Sequence, residues 1–491
     1  MAAYFLTDTP SLETEQISGP TAKPYEVTEF EAMLGYKDME LFSPYGLERH
    51  GQVILTWAPA RLDVMGGIAD YCGANVFELT LQPGIVAGCQ ARSDRQLRTL
   101  SIDRNDDLLP GMRISLDEFY TDGNLKSYAT IRQFFAQNPD TAWVAYVLGG
   151  FYVLLKEKKI DQFPHGAAVA LKSSIQMGVG ISSSAALEVA ALTGINHLYG
   201  LNLDALEIAR LAQIVENRVV GVPCGIMDQI TVAAGEKGKV LSILCQPGQV
   251  LEAVPLPPNT KFIGINSKIE RSTASSAYID ARTAAFMGLT ILQKELGLPE
   301  LQDNYLCKLS VSDFRQKCWK LLPKRMKGEE FLDRYGETVD TVTQIEPQKT
   351  YPVRSRVEHP IYEHARVQQF IQHIKNANTD SENPRRHLMQ AGRLMYASNW
   401  SYHCRVGLGS PQVQQIVRAS RKIGMQNGFY GAKITGGGGG GTVAVLCHGD
   451  VSNALIQVTA AYKLAWGIPA EVLADPSPGA FEFGHVVIQI K

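Results

Sequence analysis

The stretch Gly178-Val179-Gly180-Ile181-Ser182-Ser183-Ser184-Ala185-Ala186 runs straight into a helix-forming segment. Two glycines let a backbone approach an anion closely. Three hydroxyls and the free N–H groups of a first helical turn then offer donors where the helix dipole is positive. That is what a triphosphate needs. The plainer reading is a serine-rich helix cap with a flexible lead-in, and one serine after one glycine would mean no more than that. The string is not a Walker A loop, which the chain lacks, and protein-kinase signatures are absent too.

Downstream, Ala185–Tyr199 carries Leu187, Ala190, Ile195 and Leu198 at helical spacing and stops at Gly200. Asp204 then caps a second helix with an apolar stripe of Ile208, Leu211, Ala212, Val215 and Val219, and Gly221 follows its end. Glu216 falls in the last turns of that helix, at the edge of the stripe. A carboxylate there is disfavoured by the negative helix end and by partial burial. A bound Mg²⁺ would resolve the conflict, and so would an ordinary surface ion pair. Next comes Pro223-Cys224-Gly225-Ile226-Met227-Asp228-Gln229, where Asp228 follows a tight turn and precedes the apolar Ile230–Ala234. By itself Asp228 reads equally well as a helix cap. Cys224 reads as a small buried filler rather than a nucleophile.

A second glycine cluster, Gly436 to Gly441, sits between Ala432-Lys433-Ile434-Thr435 and Thr442-Val443-Ala444-Val445. Glycine runs are usually linkers. Strand-like apolar flanks argue instead for a turn that lets a ligand or another backbone come close.

Strands are expected at Val53–Trp57, Phe77–Leu81, Ile85–Gln90, Ala167–Leu171 and Phe262–Asn266, and further helices over Ala274–Leu296, Glu363–Ala377, Pro384–Ser398 and Pro411–Ile423. Strands and helices alternate irregularly, which favours a mixed α+β fold over a doubly wound parallel sheet. Residues 1–48 are polar and weakly periodic and read as a leader with partial order at most. Pro255, Pro257 and Pro258 suggest a boundary between an N-terminal domain, 49–255, and a C-terminal one, 256–491, that contains a charged, turn-rich insertion at 298–360.

At 491 residues the chain has room for two or three domains. A net charge of −2 gives no reason to expect a nucleic-acid partner or an anionic membrane surface. The eight cysteines show no CxxC pair and no metal-ligand spacing, so they read as free thiols in a reducing compartment. The N-terminal residues lack the pattern of a secretory signal, and no apolar run reaches the roughly 18 residues of a membrane span. A cytoplasmic location is therefore the expectation, with monomer or homodimer both open.

Together these pieces resemble the GHMP kinases, which include galactokinase, homoserine kinase, mevalonate kinase and phosphomevalonate kinase. Three motifs match in the family's order: Ala58-Pro59-Ala60-Arg61-Leu62-Asp63-Val64-Met65-Gly66-Gly67-Ile68-Ala69-Asp70-Tyr71, then Gly178–Ala186, then Gly431–Thr442. The Cys224–Gln229 segment is similar to the galactokinase branch. Within that branch the chain resembles the kinase portion of the plant-type L-arabinokinases, through the Leu62–Tyr71 stretch, Cys245-Gln246-Pro247, His359-Pro360-Ile361-Tyr362-Glu363 and the tail from Ser477 to His485.

The resemblance implies a two-domain α+β body: an N-terminal domain with a mixed sheet, a ferredoxin-like C-terminal domain, and an active site in the cleft between them. It implies ATP and Mg²⁺ as cofactors and a monosaccharide phosphorylated at its anomeric hydroxyl. Asp228 would face that hydroxyl as base or orienting group, with Arg61 beside it stabilising developing charge. Ser183 or Ser184, with Glu216, would hold Mg²⁺. Trp143 and Tyr146 would line the adenine pocket; Gly178, Gly180, Ser182, Ser183, Ser184, Ala185, Gly437 and Gly438 would hold the phosphates. Asp70 and Tyr278 would bind sugar hydroxyls.

Galactokinases carry Gly-Glu-His-Thr-Asp where this chain has Gly66-Gly67-Ile68-Ala69-Asp70, and their Glu and His address the exocyclic 6-hydroxyl. Gly67 and Ile68 offer no side-chain donor or acceptor, which suits L-arabinopyranose, a sugar without that group. Retaining the Glu and His would leave them unpaired, and such sites reject the shorter analogue by roughly 10⁴–10⁵. D-Galactose and a uronic acid are the alternative substrates; the uronate would need a cation near carbon 6, and Gly67–Asp70 supplies none. A second departure is Gln176, at a position that is usually proline in the cradle motif. A non-catalytic sugar sensor is the reading from another class, and such a protein would be expected to lose part of the set Arg61, Ser183, Glu216 and Asp228, all present here.

Overall fold

The computed structural model describes residues 10–270, 276–297, 301, 303–380 and 382–491. Residues 1–9 of the expected leader, Ala274 and Ser275 of one expected helix, and a few insertion positions lie outside these.

Nine strands form the large sheet: β1 (Thr14–Ser18), β2 (Gly51–Met65), β3 (Asn75–Ala91), β4 (Gln96–Ile102), β5 (Leu108–Ser115), β6 (Ala167–Ser173), β7 (Lys239–Leu244), β8 (Gln249–Pro255) and a C-terminal strand, His485–Ile490. The order runs from β1 through the C-terminal strand to β2, β3, β6, β4 and β5, while β7 pairs with the first part of β3 and β8 with β7. Only β4 and β6 run parallel, so the sheet is mixed as expected. The two short strands expected around Pro83 are one continuous β3, whose first part pairs with β7 and whose second part pairs with β6.

A smaller sheet holds β9 (Thr260–Asn266), β10 (Phe429–Ile434), β11 (Thr442–His448) and β12 (Glu471–Leu473), in the order β10-β11-β9-β12 with every pair antiparallel. The chain passes from β9 through helices to the β10–β11 hairpin, then through helix Ser452–Trp466 to β12. That βαββαβ path is the ferredoxin-like arrangement. We label the C-terminal strand His485–Ile490 β13.

Two sequence expectations are corrected. Residues 14–48 are not a loosely ordered leader: β1 pairs with β13, and helix Tyr25–Leu34 seats Val27, Phe30 and Leu34 in a core with Val53, Leu55, Trp57 and Val86. Nor do residues 256–491 keep to one body, because β13 pairs with β2 in the large sheet. Helix Val353–Thr379 likewise buries Val367, Phe370 and Ile374 in the large sheet's core while Val353, Val357 and Ile361 join the small sheet's core. The reason is non-local: β1 and Tyr25–Leu34 acquire their partners from distant residues, which a window of local periodicity does not contain.

Helices Ser183–Tyr199, Pro384–Ser401 and Pro411–Ile423 lie where periodicity puts them. Asp204 does cap Ala205–Ile214, its side chain accepting from the Glu207 N–H. That helix then widens into a π-helical turn, Val215–Val220, which carries Glu216. Such turns often mark functional positions. Cys72, Cys89, Cys224, Cys245, Cys307, Cys404 and Cys447 are free thiols, and among the described residues no helix is long and apolar enough to cross a membrane.

Candidate active site

The phosphate cradle is built by backbone conformations that only its sequence allows. Gly178 and Gly180 have φ of +72° and +78°, and Ser182 enters the helix from a left-handed conformation at +63°. The N-terminal turn of helix Ser183–Tyr199 therefore opens onto a cavity of about 310 Å³ lined by Gly178, Gly180, Ser182, Ser183, Ser184, Arg61 and Asp228, among others. Tyr146, Met177, Ser183, Ser184 and Glu270 also line a second cavity of about 450 Å³, which adds Trp143, Ser101, Asn105 and Lys268. Two connected spaces result: one polar at the helix N-terminus, one flanked by an indole and a phenol. Ala185 is buried behind the serines.

Asp228 lies in the first turn of helix Met227–Ala234. Its Oδ1 accepts from Arg61 Nε at 2.8 Å and from the second guanidinium arm at 2.7 Å; its Oδ2 accepts from the Ser182 hydroxyl at 2.6 Å. The Ser182 hydroxyl, expected to face phosphate, is thus turned to Asp228. Arg61 also donates to the Gly180 carbonyl at 2.9 Å and lies 3.5 Å from Glu78. Despite burial, Asp228 and Glu78 hold its guanidinium firmly charged. Asp228 keeps 26% of its side chain accessible while Arg61 keeps 2%, so the carboxylate faces the cavity and the guanidinium backs it.

Three further carboxylates surround this pair. Asp70, 4% exposed, accepts from the Tyr71 N–H, and burial and then the charge of Asp228 push its carboxyl up to about 7. Glu216 is likewise pushed up to about 7 by burial and Asp228, against hydrogen bonds from Cys224, Ser184 and Gln229. Glu188, wholly buried, shares the Gln229 amide with Glu216, and its Oε1 has no partner. Burial and Glu216 raise Glu188 strongly. Burial and mutual repulsion thus hold both carboxyls toward the protonated form beside the serines, and a cation bound there would favour ionised Glu216. No group of three His, Cys, Asp or Glu residues at metal-binding spacing occurs among the described residues. A Mg²⁺ ion that takes most of its oxygens from phosphate and water needs only one or two carboxylates, and the Ser184–Glu216 corner fits that requirement.

Sequence reasoning does not reach Asp63, Glu78, Lys433, Arg282, Asp340 or Tyr402. Asp63 and Lys433 form a fully buried ion pair at 2.7 Å between the first motif and the third. Asp63 also accepts from the Gly67 and Gly436 N–H groups at 3.1 and 3.0 Å. The signal for both was a charge within an otherwise apolar strand, β2 and β10, a breach of pattern. Arg282 makes a two-point pair with Asp340 at 2.9 Å, donates to the Cys224 carbonyl at 3.1 Å and stands over the Tyr71 ring at 5.5 Å. Asp340 belongs to the 298–360 segment, so that insertion anchors the loop that leads to Asp228.

The third motif does not line the cavities. Gly437 and Gly438, expected to hold phosphate, are buried; a Cβ on Gly438 would fall 2.7 Å from the Leu408 carbonyl. One on Gly441 would fall 2.3 Å from the Val179 carbonyl, and the Thr442 hydroxyl donates to that carbonyl at 2.9 Å. The run admits another backbone, that of the cradle itself. Tyr278 is buried against Tyr71, ring centroids 6.2 Å apart, near Asp70. Gly67 and Ile68 are buried as well, and Tyr402 lies against them.

The GHMP kinase N-terminal domain model matches residues 145–236, and the GHMP kinase C-terminal model matches 381–464. The chain is 33% identical to an L-arabinokinase of Arabidopsis thaliana, across 89% of this chain and 47% of that protein, so it spans about half that relative's length. It is 27% identical to a galactokinase of Roseiflexus sp. (strain RS-1), across 87% of this chain and 91% of that one. The crystal structure of Lactococcus lactis galactokinase complexed with galactose superposes with a TM-score of 0.69 at 23% identity, covering 92% of this chain and 97% of that one. Both halves of the family's fold are present, joined by the cradle and glycine-loop contacts just described, and the chain belongs to the GHMP kinases.

Proposed function

We propose that this chain is an ATP-dependent sugar-1-kinase that phosphorylates the anomeric hydroxyl of L-arabinose. The observation that carries the reading is the Asp228 carboxylate, fixed by Arg61 and Ser182 and partly open to the cavity at the N-terminus of helix Ser183–Tyr199. Phosphoryl transfer needs positioning and charge neutralisation more than covalent help. The first-turn N–H groups and Ser183 and Ser184 receive the phosphates, and Trp143 and Tyr146 flank the base. Ser184 and Glu216 would hold Mg²⁺, which supplies charge neutralisation to the phosphates when bound. Arg61, charged and backed by Glu78, opposes charge that develops on the transferring group. Asp228 accepts a hydrogen bond from the anomeric hydroxyl and takes its proton; that hydroxyl is more acidic than an ordinary alcohol, so a modest base suffices.

The arabinokinase and galactokinase relatives support a sugar as acceptor. Gly67 and Ile68 favour a substrate without a polar carbon-6 arm. Arg61, Arg282 and Lys433 each already pair with a carboxylate, so none of the three is free for a uronate, and Lys268 lines the second cavity, on the side of Trp143 and Tyr146. The complete set Arg61, Ser183, Glu216 and Asp228 favours an enzyme over a sensor.

The test is ADP release from Mg·ATP against L-arabinose, D-galactose, D-glucuronate, D-galacturonate and L-fucose across concentration. A clear kcat/KM lead for L-arabinose is expected. A uronate lead keeps the kinase and overturns the carbon-6 argument; silence on every sugar overturns the kinase.

A further inference from the structure

Gly67 has φ +45°, and a Cβ built on it would fall 1.2 Å from the hydroxyl oxygen of Tyr402 and 2.3 Å from the ring carbon that bears it. The space a side chain at position 67 would enter is therefore already filled, by a residue more than three hundred positions away in the chain. Tyr402 is fully buried at the start of a π-helical turn, Tyr402–Val406, that continues helix Pro384–Ser401. Its hydroxyl uses both of its capacities: it accepts from the Ile68 N–H at 2.8 Å and donates to the Gly436 carbonyl at 2.9 Å. The ring is held from two sides, by His359 edge-on at 5.1 Å between centroids and by the Lys433 ammonium 5.3 Å from its centre. A hydroxyl bonded in both directions, on a ring gripped in this way, cannot swing aside for a larger neighbour.

Resting on the sugar-kinase reading above, we infer that Tyr402 is a specificity-determining residue that closes the Gly67–Ile68 wall of the sugar subsite and limits its depth. The wall rejects a six-carbon pyranose by lack of room, not only by lack of a hydrogen-bond partner. Those two mechanisms differ in what they do to a sugar whose carbon-6 arm is a bare methyl group. An apolar but roomy wall accepts 6-deoxy-D-galactose as readily as L-arabinose. A filled wall rejects 6-deoxy-D-galactose and D-galactose alike.

The experiment measures kcat/KM for L-arabinose, D-galactose and 6-deoxy-D-galactose with the wild-type chain and with Tyr402→Phe. The wild type is expected to prefer L-arabinose over both six-carbon sugars by similar factors. Tyr402→Phe removes the atom next to Gly67 and frees the Ile68 N–H, and it should raise both six-carbon sugars relative to L-arabinose by about tenfold, the scale set by room for one methylene. A general structural role would lower all three together and leave the ratios unchanged, which overturns the inference. Wild-type use of 6-deoxy-D-galactose on a par with L-arabinose overturns it without any variant, so a poorly folded Tyr402→Phe does not protect it. Wild-type silence with all three sugars overturns this inference, and the kinase reading falls with it only if the uronates and L-fucose are silent too; unchanged ratios in an active enzyme overturn this inference alone.

Discussion

Replacing Lys433 by methionine removes the cation from a pair in which neither side chain is exposed. The Asp63 carboxylate would keep its two backbone donors, Gly67 and Gly436, and lose the one cation that pairs with it among the described residues. Breaking a buried pair from one side costs about 3–5 kcal/mol, because the remaining charge is uncompensated. Removing both charges is different. In Asp63→Asn with Lys433→Met the amide oxygen still accepts a backbone N–H and no buried charge is left, so most of the loss should be recovered. A double-mutant cycle in urea-induced unfolding at neutral pH should therefore give a coupling energy of about 3 kcal/mol. Gly67 and Gly436 share Asp63 as their acceptor, so Lys433→Met should also lower kcat/KM under conditions where it remains folded. The reasoning is refuted if Lys433→Met stays within about 1 kcal/mol of wild type, or if the double variant is less stable than Lys433→Met alone.

Asp228→Asn should cut turnover by about 10²–10⁴ while nucleotide affinity is retained, and near-wild-type turnover would remove Asp228 from the role of base. Asp70, pushed up to about 7, keeps its proton in the folded chain over a range where the unfolded chain has lost it. The unfolded state then binds fewer protons, so this group's contribution falls as pH rises from about 4 to about 7, by about 4 kcal/mol at most. Asp70→Asn should accordingly gain stability relative to wild type between pH 5 and pH 8; an unchanged difference in urea midpoints contradicts the assignment. Glu216, also pushed up to about 7, must ionise to hold a metal, so apparent Mg²⁺ affinity should weaken by up to about tenfold per unit below that pH. Glu216→Gln should remove that component, and parallel pH profiles for the two proteins would show that Glu216 is not the ligand.

The parts of the site that were legible in the sequence are those written in one short window. The Gly178–Ala186 cradle announces itself because glycine conformational freedom and helix-capping hydroxyls must be neighbours in the chain to act together. Helices such as Pro411–Ile423 are legible for the same reason, their caps and stripe being local. Glu216 stood out as a local conflict, but its π-helical turn did not, since the widening depends on what the turn packs against. Tyr402, Arg282 and Asp340 carry no local mark at all; each matters because of a residue brought to it by the fold. The run from Gly436 to Gly441 was half legible. Its need for close approach could be read, but not that the approaching group is the cradle's own backbone.

The position of β13 between β1 and β2 has a consequence for how the chain is made. β2 ends at Met65 and β13 at Ile490, so the two strands leave the ribosome far apart in time. At roughly 5–20 residues per second, β2 waits on the order of 20–80 seconds with one edge unpaired. A long apolar strand exposed for that time is a template for wrong pairing. Helix Tyr25–Leu34, already synthesised and packed on Val53, Leu55 and Val86, covers one face of the nascent sheet during the wait but leaves the edge itself open. Yield of folded protein should therefore depend on translation rate and on chaperone occupancy of the emerging chain more than on the stability of the finished fold.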